Sequence, residues 1–280
     1  GSISNPVGRV QPMEGSSDYL KAALLGVLQG LTEFLPVSSS GHLAVLQKIL
    51  DVRGPVLFLD IMLHVGTLIA IFVVFSKDIR VVLTSMFTKG GGQSPGAARL
   101  GWLAILGTVP IGVIGILFNR WIERAFNILP LIGGMFIITG ILLFAVRNKQ
   151  GERSEEDLTV RDAAWVGIYQ AIALLPGISR SGMTIGTGLF LGIERGLSVR
   201  FSFLMAIPAI LGALVLKAGE LSGRTGGMDI GPIFLGTVIA AVVGYFGLKG
   251  LIRLTISGKL YLFSFYLWAL GLVVLWTSLT

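Results

Sequence analysis

The chain has no cysteine. Disulfides, thiol nucleophiles and thiolate metal sites are therefore all excluded. Charge is also scarce: 13% of the 280 residues are Asp, Glu, Lys or Arg, about half the fraction of an ordinary soluble domain. Histidine occurs only twice. Hydrophobic residues make up 53% of the chain and the mean hydropathy is +0.83. Six apolar runs approach or exceed the roughly 18–20 residues needed to cross a bilayer: about 56–75, 100–118, 128–146, 198–217, 231–250 and 260–279. The fold class expected is an all-α polytopic membrane protein. The net charge of +7 fits basic loops beside a membrane. No aromatic-interleaved basic patch points to nucleic acid. Residues 1–18 read as a tail without the apolar core of a signal peptide, with 1–12 reading as an expression remnant ahead of Met13.

Two short segments break the spanning pattern. Residues 22–35, "AALLGVLQGLTEFL", are helical in composition but only 14 long, a rise of roughly 21 Å against a hydrocarbon core of ~30 Å. Pro36 disfavours helix at Leu35, and "PVSSSGH" leads into "LAVLQKIL". The second is 162–175, "DAAWVGIYQAIALL", followed by "PGISRSG" and "MTIGTGLFLGI". Both read as helix, polar turn, helix, the form of a re-entrant unit whose irregular backbone must be enclosed by protein or a water-filled cavity. A shift of 141 residues superposes Gly26, Gln29, Ser38, Ser40 and Gly41 on Gly167, Gln170, Ser179, Ser181 and Gly182. The expected organisation is one membrane domain, 19–280, made of two repeats at about 19–146 and 160–280. Each repeat holds one re-entrant unit and three spans, so the two are inverted. On that topology thirteen Lys/Arg fall on one side and eight on the other, Arg180 set aside. The positive-inside rule then turns the N-terminus and the first polar turn outward.

The polar turns carry the chemistry. Gln29 and Glu33, four apart, share one helix face aimed at the first turn, and an ionisable group at membrane depth is costly enough to suggest a function. Ser38, Ser39 and Ser40 precede a helix whose free N–H groups suit an anion, although serine is equally a helix cap. His42 can take a proton from a serine hydroxyl or give one to a leaving oxygen. Arg180 can clamp a phosphate, with Ser179, Ser181 and Thr184 as further donors; a structural counter-ion to Glu33 is its blander role. Glu33, with Gln29, can hold a hard divalent cation. Asp60 and His64, also four apart, can line the same cavity but read more readily as a structural pair on one helix face. A nucleophile, a base, an acid and an arginine are the parts of phosphoryl transfer. The rival class is a transporter or flippase, which needs phosphate donors but no nucleophile and base.

"QGLTEFLPVSSSGH" and "PGISRSGMT" together resemble the signatures of the BacA/UppP family of undecaprenyl-pyrophosphate phosphatases: [E/Q]xxxE running into PVSSxGH, and PGxSRSxxT about 140 residues on. The resemblance extends from about residue 19 onward. It implies a multi-pass enzyme of the bacterial plasma (inner) membrane that cleaves a polyprenyl pyrophosphate to the monophosphate and inorganic phosphate, recycling the lipid carrier for cell-wall synthesis. It also implies an interdigitated inverted repeat, a divalent cation (Mg2+ or Ca2+) and an active site open to the outer face. By that resemblance Glu33 is the catalytic glutamate, Ser39 the nucleophile, His42 the motif histidine and Arg180 the phosphate-binding arginine. Gln29 stands where many relatives carry Glu, which leaves one carboxylate fewer for the cation. The partners expected are the lipid substrate and the bilayer, with a homodimer left open.

Overall fold

The computed structural model describes residues 16–52, 56–88, 94–221 and 230–279. The tail 1–15 and four of the counted charges, Arg9, Arg53, Lys89 and Arg224, lie outside them. Among the described residues the fold is helical with no strand, apart from one isolated bridge between Arg153 and Ile193. The helices in chain order are α1 (Ser16–Thr32), α2 (Ser39–Ile49), α3 (Val56–Val74), α4 (Ser76–Phe87), α5 (Pro95–Leu117), α6 (Asn119–Ala125), α7 (Leu129–Ala145), α8 (Val160–Ile172), α9 (Arg180–Phe190), α10 (Arg195–Leu221), α11 (Ile230–Ile256) and α12 (Leu262–Leu279).

Four of these, α3, α5, α10 and α11, are long and apolar enough to cross a membrane. The other two expected spans form helices, but shorter ones. α7 has 17 residues and begins after a bend of 95° from α6, and α12 has 18. Their apolar residues are as dense as the sequence suggests; Pro130 in the first turn of α7 and the break at 126–128 set its start. Exposed leucine, isoleucine, valine, phenylalanine and tryptophan side chains are spread along the helices, Trp102, Val215, Phe246 and Trp276 among them. That surface suits a protein whose solvent is lipid. This is a multi-pass membrane protein.

Both short units form as helix, turn, helix. α1 stops at Thr32, three residues before the proline-based expectation, and residues 33–37 continue as turns. α8 starts earlier than read from composition, because Thr159 and Asp162 make a capping box: Thr159 accepts from the Asp162 N–H, and the Asp162 carboxylate accepts from Thr159 N–H. Such a reciprocal cap fixes a helix start.

Each unit packs against a spanning helix from the other half of the chain: α1 lies on α11 as well as α3, and α8 lies on α5. Glycine permits the closeness. A Cβ on Gly26 would sit 2.5 Å from the carbonyl oxygen of Gly236, and one on Gly167 would sit 2.2 Å from that of Gly107. The two turns also touch. A Cβ on Gly182 would lie 3.3 Å from Pro36, and Ser181 donates to the Leu35 carbonyl at 3.4 Å. Beneath them, Phe34, Ile71, Phe75, Ile185, Phe203 and Leu248 form one buried core, with the Phe34 and Phe203 rings 5.7 Å apart.

Candidate active site

Glu33 is buried just past the end of α1, and three donors converge on its carboxylate. Its Oε1 accepts from Arg180 Nη2 at 2.7 Å. Its Oε2 accepts from Ser39 Oγ at 2.6 Å and from Gln29 Nε2 at 3.1 Å. His64 Nε2 lies 3.8 Å from the same Oε2. Arg180, 147 positions from Glu33 in sequence, thus meets Gln29 and Ser39 at one carboxylate. The juxtaposition follows from the touching turns: α1 delivers Glu33, α2 begins with Ser39, and α9 begins with Arg180.

The two turns are built alike. Ser38 caps α2 by accepting from the Gly41 N–H at 3.4 Å, and Ser179 caps α9 by accepting from the Gly182 N–H at 3.1 Å. In each, the cap hydroxyl also meets the second serine on, Ser40 at 3.4 Å and Ser181 at 3.2 Å. Capping therefore occupies Ser38 and Ser179, leaving Ser39 as the serine bonded to a carboxylate. Ser38 holds φ +69°, a left-handed conformation uncommon for a residue with a side chain. Strain of this kind persists where the surrounding structure over-determines it.

These groups open onto a cavity of about 190 Å³. Its polar side is made of Glu33, Ser38, Ser39, Ser40, Ser179 and Arg180, with His64 from α3 and Lys217 from α10. Its apolar side includes Ile61, Ile111, Leu174, Ile178, Ile210 and Leu214. The volume lies below the roughly 300–1,000 Å³ of pockets that swallow drug-sized ligands. It suits a compact head group whose apolar remainder stays outside.

Two atoms at this centre lack partners. Arg180 Nη1 and Gln29 Oε1 are buried with no hydrogen-bonding partner among the described residues. Buried polar atoms are rarely left so without a reason. One is a donor beside the cavity, suited to an anion; the other is an acceptor beside Glu33, suited to a cation. No group of three His, Asp or Glu side chains able to hold a metal occurs among the described residues. Glu33 and Gln29 supply three oxygens at most, two from the carboxylate and one from the amide. That set fits a cation of the Mg2+ type, which is commonly held by one or two carboxylates plus substrate phosphates and water.

Three residues read as site candidates stand apart from the cavity. Ser181 points to Leu35, and Thr184 Oγ1 lies 2.5 Å from Ser202 Oγ in the interior between α9 and α10. His42 faces the other way. Its Nδ1 is 2.8 Å from the Ser38 carbonyl oxygen, which makes it the donor there, so Nε2 accepts from the Tyr266 hydroxyl at 2.6 Å. Its ring stacks on Tyr266 of α12 and meets the edge of Phe136 of α7. The histidine that reaches Glu33 is His64. Its Nδ1 is held 2.7 Å from the Asp60 carbonyl oxygen one turn back, and Gln47 Nε2 donates to Asp60 Oδ1 at 2.5 Å. The four-residue spacing of Asp60 and His64 was the signal for that pair. Nothing in the sequence marked Tyr266 or Lys217.

The family model for bacitracin resistance protein BacA matches residues 22–273. The undecaprenyl-diphosphatase of Desulfosudis oleivorans is 42% identical over 271 residues, covering 93% of this chain and 98% of its own. The undecaprenyl-diphosphatase of Carboxydothermus hydrogenoformans is 42% identical over 259 residues, covering 91% and 95%. That of Alkaliphilus metalliredigens is 42% identical over 270 residues, covering 92% and 98%. With both signature turns meeting at Glu33 and relatives matched nearly end to end, the chain belongs to the BacA family.

Proposed function

We propose that this protein is an undecaprenyl-diphosphatase, cleaving the terminal phosphate from a polyprenyl pyrophosphate at the Glu33–Ser39–Arg180 cluster. The observation that carries the reading is the 2.6 Å hydrogen bond from Ser39 Oγ to a carboxylate whose other oxygen is pinned by an arginine. A hydroxyl paired with a positioned base is the signature of an activated nucleophile. The undecaprenyl-diphosphatase names of relatives about 40% identical over most of the chain support the substrate.

The chemistry follows from the geometry. Arg180 Nη1 and the free N–H groups at the starts of α2 and α9 receive the terminal phosphate oxygens. Ser39 Oγ attacks the terminal phosphorus and its proton passes to Glu33 Oε2. The bond from that phosphorus to the bridging oxygen breaks, and the lipid monophosphate leaves with the electron pair. Glu33 passes that proton to the departing monophosphate. Water then attacks the phosphoserine and gives a proton to Glu33, which hands it to Ser39 Oγ as the phosphorus–Oγ bond breaks; inorganic phosphate is released and Ser39 is restored. Arg180 holds Glu33 in place while sharing the phosphate charge. Glu33 and Gln29 Oε1 would hold a divalent cation, which supplies neutralisation of the phosphate oxygens when bound. A net-neutral pair such as Glu33–Arg180 leaves most of a pyrophosphate's charge unmet, which is the need a cation answers. The head group enters sideways from the bilayer, so the isoprenoid stays in lipid.

The packing of α1 on α11 and of α8 on α5 supports a single domain of two interdigitated inverted repeats. The charge bias supports an inner-membrane protein with its N-terminus and cavity facing outward. A test is phosphate release from a polyprenyl pyrophosphate by the purified protein in detergent, with and without added Mg2+ or Ca2+. Cation-dependent release supports the enzyme. Lipid binding without release, by folded protein, would favour the carrier that inverted-repeat architecture also suits.

A further inference from the structure

We propose that Lys217 is the contact for the second, lipid-linked phosphate, and that it makes the site prefer the pyrophosphate substrate to the monophosphate product. The inference rests on the phosphatase reading and adds a residue that neither signature contains.

Arg180 meets one phosphate and no more. Its Nη2 is committed to Glu33 at 2.7 Å, and only Nη1 remains buried and unpartnered. The second phosphate of the head group therefore needs another cation in the same cavity. Lys217, in the last described stretch of α10, lines that cavity together with Arg180. It is exposed, while the Arg180 side chain is 16% exposed, so Lys217 stands at the mouth and Arg180 deeper in. No ion pair within 4.0 Å engages the Lys217 ammonium among the described residues. The Asp60 carboxylate on α3 already accepts from Gln47 Nε2 at 2.5 Å.

The residue type suits the task. Lysine meets phosphate as a point charge on a flexible stem and needs no fixed bidentate geometry. Its methylene stem lies against apolar surface while the ammonium stays in water, and one and two turns back along α10 the wall is Ala213, Leu214 and Ile210. A pyrophosphate then seats its terminal phosphate on Arg180, its second phosphate on Lys217, and its first isoprene units on that wall. The product, with one phosphate, engages one of the two cations and not both. Substrate is thereby held more tightly than product, which favours turnover.

The test compares wild type, Lys217→Gln and Lys217→Arg in detergent, measuring KM and kcat for phosphate release from a polyprenyl pyrophosphate and the inhibition constant of the matching polyprenyl monophosphate. Lys217→Gln is expected to raise KM by about tenfold or more, the loss of one charged hydrogen bond. kcat should fall much less, and inhibition by the monophosphate should weaken by under about threefold. Lys217→Arg should restore most of KM. A KM within about twofold of wild type overturns the proposal. So does an equal weakening of substrate and monophosphate, which would make Lys217 a general attractor of anions. If the wild type releases no phosphate, the enzyme reading fails by itself. Equilibrium binding of the pyrophosphate lipid then tests Lys217 separately: equal affinity for wild type and Lys217→Gln would refute it.

Discussion

Replacing Glu33 by Gln puts the greatest demand on the account. The substitution keeps the shape and removes the charge that Arg180 Nη2 meets at 2.7 Å. One of the two oxygens becomes an amide. If that amide faces Arg180, donor meets donor; if it faces Ser39, the hydroxyl loses its acceptor at 2.6 Å. The side chains of Arg180 and Glu33 are 16% and 6% exposed, so the arginine is left charged and largely enclosed. Two unit charges about 4 Å apart at an effective dielectric near 20 interact by about 4 kcal/mol, and breaking a buried pair typically costs about 3–5 kcal/mol. The small access of Arg180 to water puts the loss toward the lower end. The rate should fall further, by about 10²–10⁴-fold for a lost general base. Unfolding free energies in mixed micelles and phosphate-release rates measure the two effects. Glu33→Gln combined with Arg180→Gln should be less destabilised than the sum of the single variants, because the double variant leaves no lone charge. Additive losses, or a Glu33→Gln protein that retains wild-type stability and a rate within about tenfold, would refute the reasoning.

Other outcomes follow from the same contacts. Gly26→Val should destabilise the protein by about 1–3 kcal/mol or prevent folding, since even a Cβ there meets the Gly236 carbonyl oxygen at 2.5 Å; thermal unfolding in detergent reads it, and an unchanged midpoint contradicts it. Tyr266→Phe removes the hydroxyl bonded to His42 Nε2, and because His42 faces α12, phosphate release should stay within about threefold while stability drops by about 0.5–1.5 kcal/mol. Asp162, in the loop-side cap of α8, is the site of a pH effect. Burial acts to raise its carboxyl pKa, but hydrogen bonds from Arg153 and Thr159 prevail and hold it below the ordinary 3.8. A depressed folded pKa contributes stability that is fully present above the unfolded value and is lost as pH falls through the folded one. The stability difference between wild type and Asp162→Asn should therefore be flat above about pH 5 and shrink below about pH 4. A difference that grows on acidification would contradict this.

The sequence made the centre of the site legible because its parts lie in two short motifs. α1 ends at Thr32, just before Glu33, so the carboxylate and Ser39 fall on the two sides of one turn that contains Pro36, and Arg180 begins the helix after the matching turn. Side-chain direction was not legible. His42 stands three residues after Ser39, yet the aromatic surface of α7 and α12, far along the chain, turns it away from the cavity. His64 arrives beside Glu33 because α3 packs on α1, and no local pattern announces such packing. Lys217 counted only as a charge at the end of a span. Helix lengths diverged for similar reasons: α6 and α7 read as one loop and one span, but the break at 126–128 bends the chain by 95°. The apolar composition that makes 76–87 a helix, α4, is too mixed with charge to be seen as a span.

The central claim is that Ser39 reacts because Glu33 holds its proton. The direct measurement is kcat for phosphate release by Ser38→Ala, Ser39→Ala and Ser40→Ala, each shown to be folded. The account predicts a loss of about 10²–10⁴-fold for Ser39→Ala, with Ser38→Ala and Ser40→Ala within about tenfold of wild type, since one caps α2 and the other bonds to that cap. A folded Ser39→Ala protein that still turns over within tenfold of wild type would contradict it, as would a greater loss at Ser40.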